Sequence, residues 1–184
     1  MKIIAVVGSI RRGNTLKMVE AACSLFSSDE IKVIDLAHIK MEFCTGCLYC
    51  DDAKKCNIND DMTDLINEIA DADAFIFASP VRWSLLSGEM KTFFDRLNPF
   101  ATLGTLSEKK CILLTVGQSE ENSDDAFSID AGLKSMEFFC ENAGMEVIDS
   151  VKAYGCLEED SIENSPYIKA CYVAARKLKE ALSN

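Results

Sequence analysis

The sequence predicts an α/β fold: a parallel sheet with helices packed on both of its faces. Two patterns carry that expectation. Short apolar runs rich in β-branched residues recur at 2–7, 31–35, 74–78, 111–116 and 145–154, and segments of helical spacing separate them. The composition does not shift along the chain, and neither an internal repeat nor a low-complexity linker interrupts it. Five alternations of this kind fit a single domain with a buried parallel sheet.

The elements follow in order. Residues 2–7, KIIAVV, form a strand that ends at Gly8. After a polar stretch from Ser9 to Asn14, the residues Leu16, Val19, Ala22, Cys23 and Phe26 recur at helical spacing. Residues 31–35 are the second strand. From about 40 to 60 the chain is cysteine-rich and without period, so a loop is expected. Asp60 or Asp61 then caps a helix whose face carries Leu65, Ile66 and Ile69. The third strand, 74–78, is expected to stop at Ser79-Pro80. A helix over about 86–97, strand 111–116, an acidic solvated loop at 120–125, a helix over 128–142, strand 145–154 and a helix over 166–182 complete the chain.

Composition narrows the function. The 184 residues are 48% apolar and 27% charged, which suits a globular core, and no apolar run nears the roughly 20 residues that span a bilayer. The N-terminus reads as mature structure and not as a leader, so a cytoplasmic protein is expected. A net charge of −11 argues against nucleic acid and against anionic membrane surfaces as partners. A small anion remains compatible, because one helix N-terminus holds a phosphate whatever the global charge. Nine cysteines in a reducing compartment point to metal or redox chemistry. Cys23, Cys111, Cys140, Cys156 and Cys171 lie among apolar residues and read as small core fillers. The lone His38 reads as a surface residue.

Two loops sit at the carboxyl ends of strands, where doubly wound sheets bind ligands. In the first, Gly8-Ser9-Ile10-Arg11-Arg12-Gly13-Asn14-Thr15, the residues Ser9, Asn14 and Thr15 offer hydroxyl and amide donors. Gly8 and Gly13 admit close backbone approach, and Arg11 adds positive charge. The loop matches neither the dinucleotide fingerprint nor the nucleoside-triphosphate loop, so a monophosphate is the anion it suits. Capping and turn roles for Ser9 and Asn14 are the plain alternative. In the second loop, Pro80, Val81, Arg82 and Trp83 precede Ser87 and Gly88, and backbone amides here would meet the polar rim of a flat ring. Trp83 and Leu86 would cover its face, although an interface or core role suits Trp83 equally. Lys91 and Asp95, at i,i+4, read as a helix-surface pair.

The remaining cysteines form one group, Cys44-x2-Cys47-x2-Cys50-x5-Cys56, within thirteen residues. Three thiols at this spacing wrap one side of a cuboidal cluster and a fourth completes Cys₄ ligation of [4Fe–4S]. A metal-free regulatory or catalytic thiol set is the main alternative. Zinc, whose usual pattern is two separated pairs, and a structural loop are the others.

With these motifs together, the chain resembles the NADPH-dependent FMN reductase-like branch of the flavodoxin superfamily over nearly its whole length. The matching pieces are the first loop, Ser79-Pro80-Val81, the stretch from Ser87-Gly88 through Lys91 to Asp95-Arg96, and Thr115-Val116-Gly117. Within that branch it is similar to the iron–sulfur flavoproteins, through the four cysteines and the Asn59-Asp60-Asp61-Met62 that follows. The resemblance implies a flavodoxin-like three-layer sandwich with a five-stranded sheet in the order 2-1-3-4-5. It further implies homo-oligomers (dimer or tetramer), FMN near a subunit interface, and Gly117 among the flavin contacts. Two departures stand out: Arg82 occupies a position that is often aromatic, and the third loop carries a single glycine.

The implied chemistry is electron transfer through FMN, with a [4Fe–4S] cluster as a further carrier and ferredoxin or NAD(P)H as donor. No side chain stands out as a general acid or base, and no nicotinamide motif is readable. An NAD(P)H-dependent FMN or quinone reductase without a cluster is the second reading. A non-enzymatic electron carrier or thiol redox sensor is the third.

Overall fold

The computed structural model describes residues 1–183, with the side chains of residues 101–102 left aside. Five parallel strands run through it: β1 (Ile3–Val7), β2 (Ile31–Asp35), β3 (Ala74–Arg82), β5 (Lys110–Val116) and β6 (Glu146–Ala153). They lie in the order β2-β1-β3-β5-β6, and a two-residue strand, β4 (Leu85–Leu86), returns antiparallel on β3. Setting β4 aside, this is the flavodoxin-like order 2-1-3-4-5 that the resemblance implies.

Alternation within the buried strands builds two cores. Ile4, Val6, Phe75, Phe77, Cys111 and Leu113 face one side, under α3 (Asp61–Asp71), α4 (Gly88–Arg96) and α6 (Phe127–Asn142). Ile3, Ala5, Val7, Ile76, Ala78, Ile112 and Leu114 face the other, under α1 (Asn14–Cys23) and α7 (Pro166–Leu182). The period of two thus sends successive side chains of one strand into different cores. Cys111, Cys140, Cys156 and Cys171 are buried as expected, and Cys23 is half-buried.

Two expectations are corrected. β3 does not stop at Pro80 but continues to Arg82. The Ala78 carbonyl accepts from Gly8 N on the β1 side of the strand, so Pro80, two residues on, turns the same way. β1 has ended there, and the missing proline N–H costs no ladder bond. The cysteine stretch, expected to be all loop, contains a short helix, α2 (Tyr49–Ala53), bounded by Leu48 and Lys54 at positive φ of 59° and 57°. A 3₁₀ turn (Leu36–His38) and the helix α5 (Asn98–Leu103) were likewise unforeseen. Lys91 and Asp95 do pair on the surface of α4, at 2.6 and 2.7 Å. Among the described residues, no helix is long and apolar enough to cross a membrane.

Candidate functional site

A cleft of about 650 Å³ opens at the carboxyl end of the sheet, within the roughly 300–1,000 Å³ usual for small-molecule sites. Its floor is the turn from β1 into α1, and that turn is arranged for an anion. Gly13 precedes α1, and no side chain caps the helix. By contrast, α3, α4 and α7 are capped by Asp60, Ser87 and Ser165. The leading amides of α1 therefore present their partial positive charge to the cleft. Thr15 is buried, lines the cleft and makes no side-chain hydrogen bond among the described residues. Ser9 lines it as well, its hydroxyl donating to the Arg11 carbonyl at 2.9 Å. Arg11 and Arg82 bring positive charge to the lining against the single acid Asp125. A basic opening in an acidic protein concentrates an anionic ligand there.

Asn14 also lines the cleft, but its amide is committed elsewhere. Nδ2 donates to the Glu158 carbonyl at 2.7 Å and to Ser161 Oγ at 3.1 Å, and Oδ1 accepts from Ile162 N at 3.2 Å. Its side chain therefore fastens the loop after β6 against the start of α1.

The opposite wall is the β3–β4 hairpin. Pro80, Val81, Arg82 and Trp83 line the cleft. The two loop residues, Trp83 and Ser84, have φ of 50° and 63°, the two-residue geometry that suits the twist of a hairpin. That backbone region is rare for a bulky side chain, and such outliers cluster at ligand clamps. Trp83 is 98% exposed, so the core reading of this residue is excluded. Ser84 Oγ donates to Ser128 Oγ at 3.2 Å and ties the hairpin to α6. Val81 sits so close to Gly132 of α6 that a Cβ at 132 would lie 2.5 Å from Val81 Cγ2.

Gly117 joins the lining with Gln118 and Ser119, held by its N–H to the Ala153 carbonyl at 3.0 Å. Ser87 and Gly88 do not reach the lining. Ser87 lies beneath it, its hydroxyl donating to the Gly8 carbonyl and accepting from Met90 N, while Gly88 opens α4. Sequence reasoning missed Asp125, Phe127, Ser128 and Leu157, which form the far rim. Phe127 and Leu157 are large exposed apolar residues, a sign visible only once the fold brings them to the cleft.

The four clustered cysteines line a separate, smaller pocket together with Asn57, Asp95, Arg96, Asn98 and Pro99. It shares no lining residue with the cleft. Asn98 Nδ2 donates to Cys50 Sγ at 3.1 Å, and Cys47 Sγ approaches Asn57 Oδ1 at 3.6 Å. The Tyr49 backbone N–H, and next the Thr45 hydroxyl, hold the Cys47 thiol below its ordinary pKa. Gly46, Leu48 and Lys54, all at positive φ, bend the chain around the pocket.

Among the described residues, no three His, Cys, Asp or Glu side chains stand close enough to hold a single metal ion. Four thiols around a cuboidal cluster stand farther apart than four around one ion. The common lining, the thiol donor set and the buried Arg96 guanidinium beside Cys56 fit such a cluster.

Comparison with known proteins places the chain. The family model described as NADPH-dependent FMN reductase matches residues 1–127. An iron–sulfur flavoprotein of Archaeoglobus fulgidus is 34% identical over 128 residues, covering 66% of this chain and 58% of the relative. One from Methanocaldococcus jannaschii is 31% identical over 128 residues, covering 68% and 66%. The chain thus spans less than two thirds of the length of either relative. The solved NAD(P)H:quinone oxidoreductase of Methanothermobacter marburgensis superposes with a TM-score of 0.70 at 18% identity over 97% of both chains, a likeness of fold. With the sheet order and the family match in agreement, the chain belongs to the NADPH-dependent FMN reductase family.

Proposed function

We propose that this chain binds FMN in the cleft and passes electrons between a donor, a ferredoxin-type carrier or NAD(P)H, and an acceptor, with a [4Fe–4S] cluster held by Cys44, Cys47, Cys50 and Cys56. The carrying observation is the uncapped start of α1 at the cleft floor, with the unpartnered Thr15 hydroxyl beside it. When bound, FMN and the cluster supply the electron-accepting chemistry. The protein's residues bind and orient. The α1 amides, Ser9, Thr15 and Arg11 receive the phosphate, while Pro80 and the amides of Val81, Arg82 and the stretch around Gly117 face the ring. Trp83 shields the ring from water, and Ser87 and Gly88 support this wall from beneath.

The names of the two relatives support the cluster half of this reading. A cytoplasmic homo-oligomer, with neither nucleic acid nor membrane as partner, belongs to the same proposal. The second reading, an NAD(P)H-dependent FMN or quinone reductase without a cluster, is favoured by the thiols standing apart.

The test is anaerobic purification with flavin, iron and sulfide assayed on one sample. One FMN with about four irons and four sulfides per chain supports the first reading. FMN without iron, even after reconstitution, leaves the reductase. Failure to bind added FMN defeats both.

A further inference from the structure

Arg96 is 2% exposed, and charged side chains are seldom buried so fully unless they are paired. Most of its donors are paired. Nη1 donates to the Glu42 carbonyl at 2.8 Å and to Asp60, and Nη2 donates to Asp60 Oδ1 at 3.0 Å. These contacts clamp the two ends of the cysteine loop together. Among the described residues Nε–H makes no hydrogen bond of good geometry, although the Cys56 thiol lies beside the guanidinium. Arg96 lines the cysteine pocket, where Cys56 interacts with it, and Asp60 does not. Asn98, two residues further along the chain, lines the same pocket and already donates to Cys50 Sγ.

A clamp between Asp60 and Glu42 needs only Nη1 and Nη2. The buried third donor meets at best the Cys56 thiol, a weak acceptor, unless something with more acceptor capacity fills the pocket. Thiolate sulfurs of a bound cluster are such acceptors, and N–H bonds to them favour the more negative, reduced state.

We propose that Arg96 Nε and Asn98 Nδ2 are positioning donors to the cluster sulfurs on the Cys56 and Cys50 sides of the pocket, and that they raise its reduction potential. The inference rests on the cluster reading above and goes beyond it, because it names the residues that tune the site.

The test uses the full chain with FMN, reconstituted anaerobically, as wild type, Arg96→Lys, Asn98→Ala and the double variant. Lysine keeps a charge for Asp60 but has no Nε–H donor, and Asn98 is exposed, so its truncation spares the fold. Iron content is measured first, then the cluster potential by reductive titration followed by electron paramagnetic resonance. The expected result is wild-type iron content in each single variant, with the potential shifted downward and the double variant lowest. A merely structural Arg96 would lower thermal stability and leave the potential where it was. Iron in all proteins with unmoved potentials overturns this inference and spares the cluster reading. Absence of iron from the wild type overturns both. If Arg96→Lys does not fold, an unmoved Asn98→Ala potential still overturns the proposal.

Discussion

The Ser87 hydroxyl donates to the Gly8 carbonyl at 2.6 Å and joins the two loops that shape the cleft. The same oxygen accepts from Met90 N at 3.1 Å and caps α4. One buried atom therefore sets both the start of a helix and the spacing between the turn after β1 and the hairpin. Replacing it removes a cap and orphans a buried carbonyl. Ser87→Ala is expected to cost roughly 1–3 kcal/mol in urea unfolding and to weaken FMN binding, although Ser87 lines no part of the cleft. Unchanged affinity in a destabilised variant would refute the coupling.

Asn14 and Thr15 are neighbours with opposite duties. Asn14 spends its amide on Glu158, Ser161 and Ile162, whereas the Thr15 hydroxyl has no partner among the described residues. Asn14→Ala is expected to lower stability by roughly 1–3 kcal/mol even without ligand. Thr15→Val should leave the ligand-free protein within about 0.5 kcal/mol of wild type. Its FMN dissociation constant should rise about tenfold or more, the loss of one hydrogen bond to a charged group. Thermal melts with and without FMN separate the two.

Gly132 is needed for close approach and not for backbone freedom. A Cβ there would meet Val81 Cγ2 at 2.5 Å, and a valine held in a strand cannot swing its methyl aside. Gly132→Ala is expected to cost roughly 1–3 kcal/mol by overpacking. Adding Val81→Ala should recover much of that loss, so the pair departs from additivity in a double-mutant cycle.

Acid acts on the clamp at the cysteine loop. Burial pushes the Asp60 carboxyl up, but the Arg96 guanidinium and the Glu42 N–H outweigh it and leave the pKa below the ordinary carboxylate value. A carboxyl depressed in the folded state contributes stability fully present above its unfolded pKa of about 4, and lost as pH falls through the lower folded value. Asp60→Asn strands a buried guanidinium and is expected to cost roughly 3–5 kcal/mol at pH 7. Below about pH 4 the gap to wild type should narrow. Parallel stability curves across that range would remove Asp60 as the source.

The strands were legible because they are written locally, in apolar runs, whereas their order came through the resemblance to a family. The hairpin was not legible. Its loop is Trp83-Ser84, with none of the Asn-Gly chemistry that usually marks such a turn, and Pro80 reads as a stop unless one knows that its side of β3 lacks a neighbour. The far rim of the cleft and the Arg96–Asp60 pair depend on segments distant in sequence, which no local pattern records. The cysteine spacing announced a group, but not the buried guanidinium behind it.

The cysteine pocket and the cleft have separate linings, and the cysteine loop lies outside the five parallel strands that carry the cleft. Arg96 clamps the loop's two ends at Glu42 and Asp60, and the middle of the loop rests on the start of α5 through Asn98 and Cys50. Because the loop supplies no residue to the cleft lining, a change confined to the thiols leaves that lining intact. For the protein engineer the same separation offers a socket, in which new loops can be spliced between fixed ends while the cleft keeps its shape.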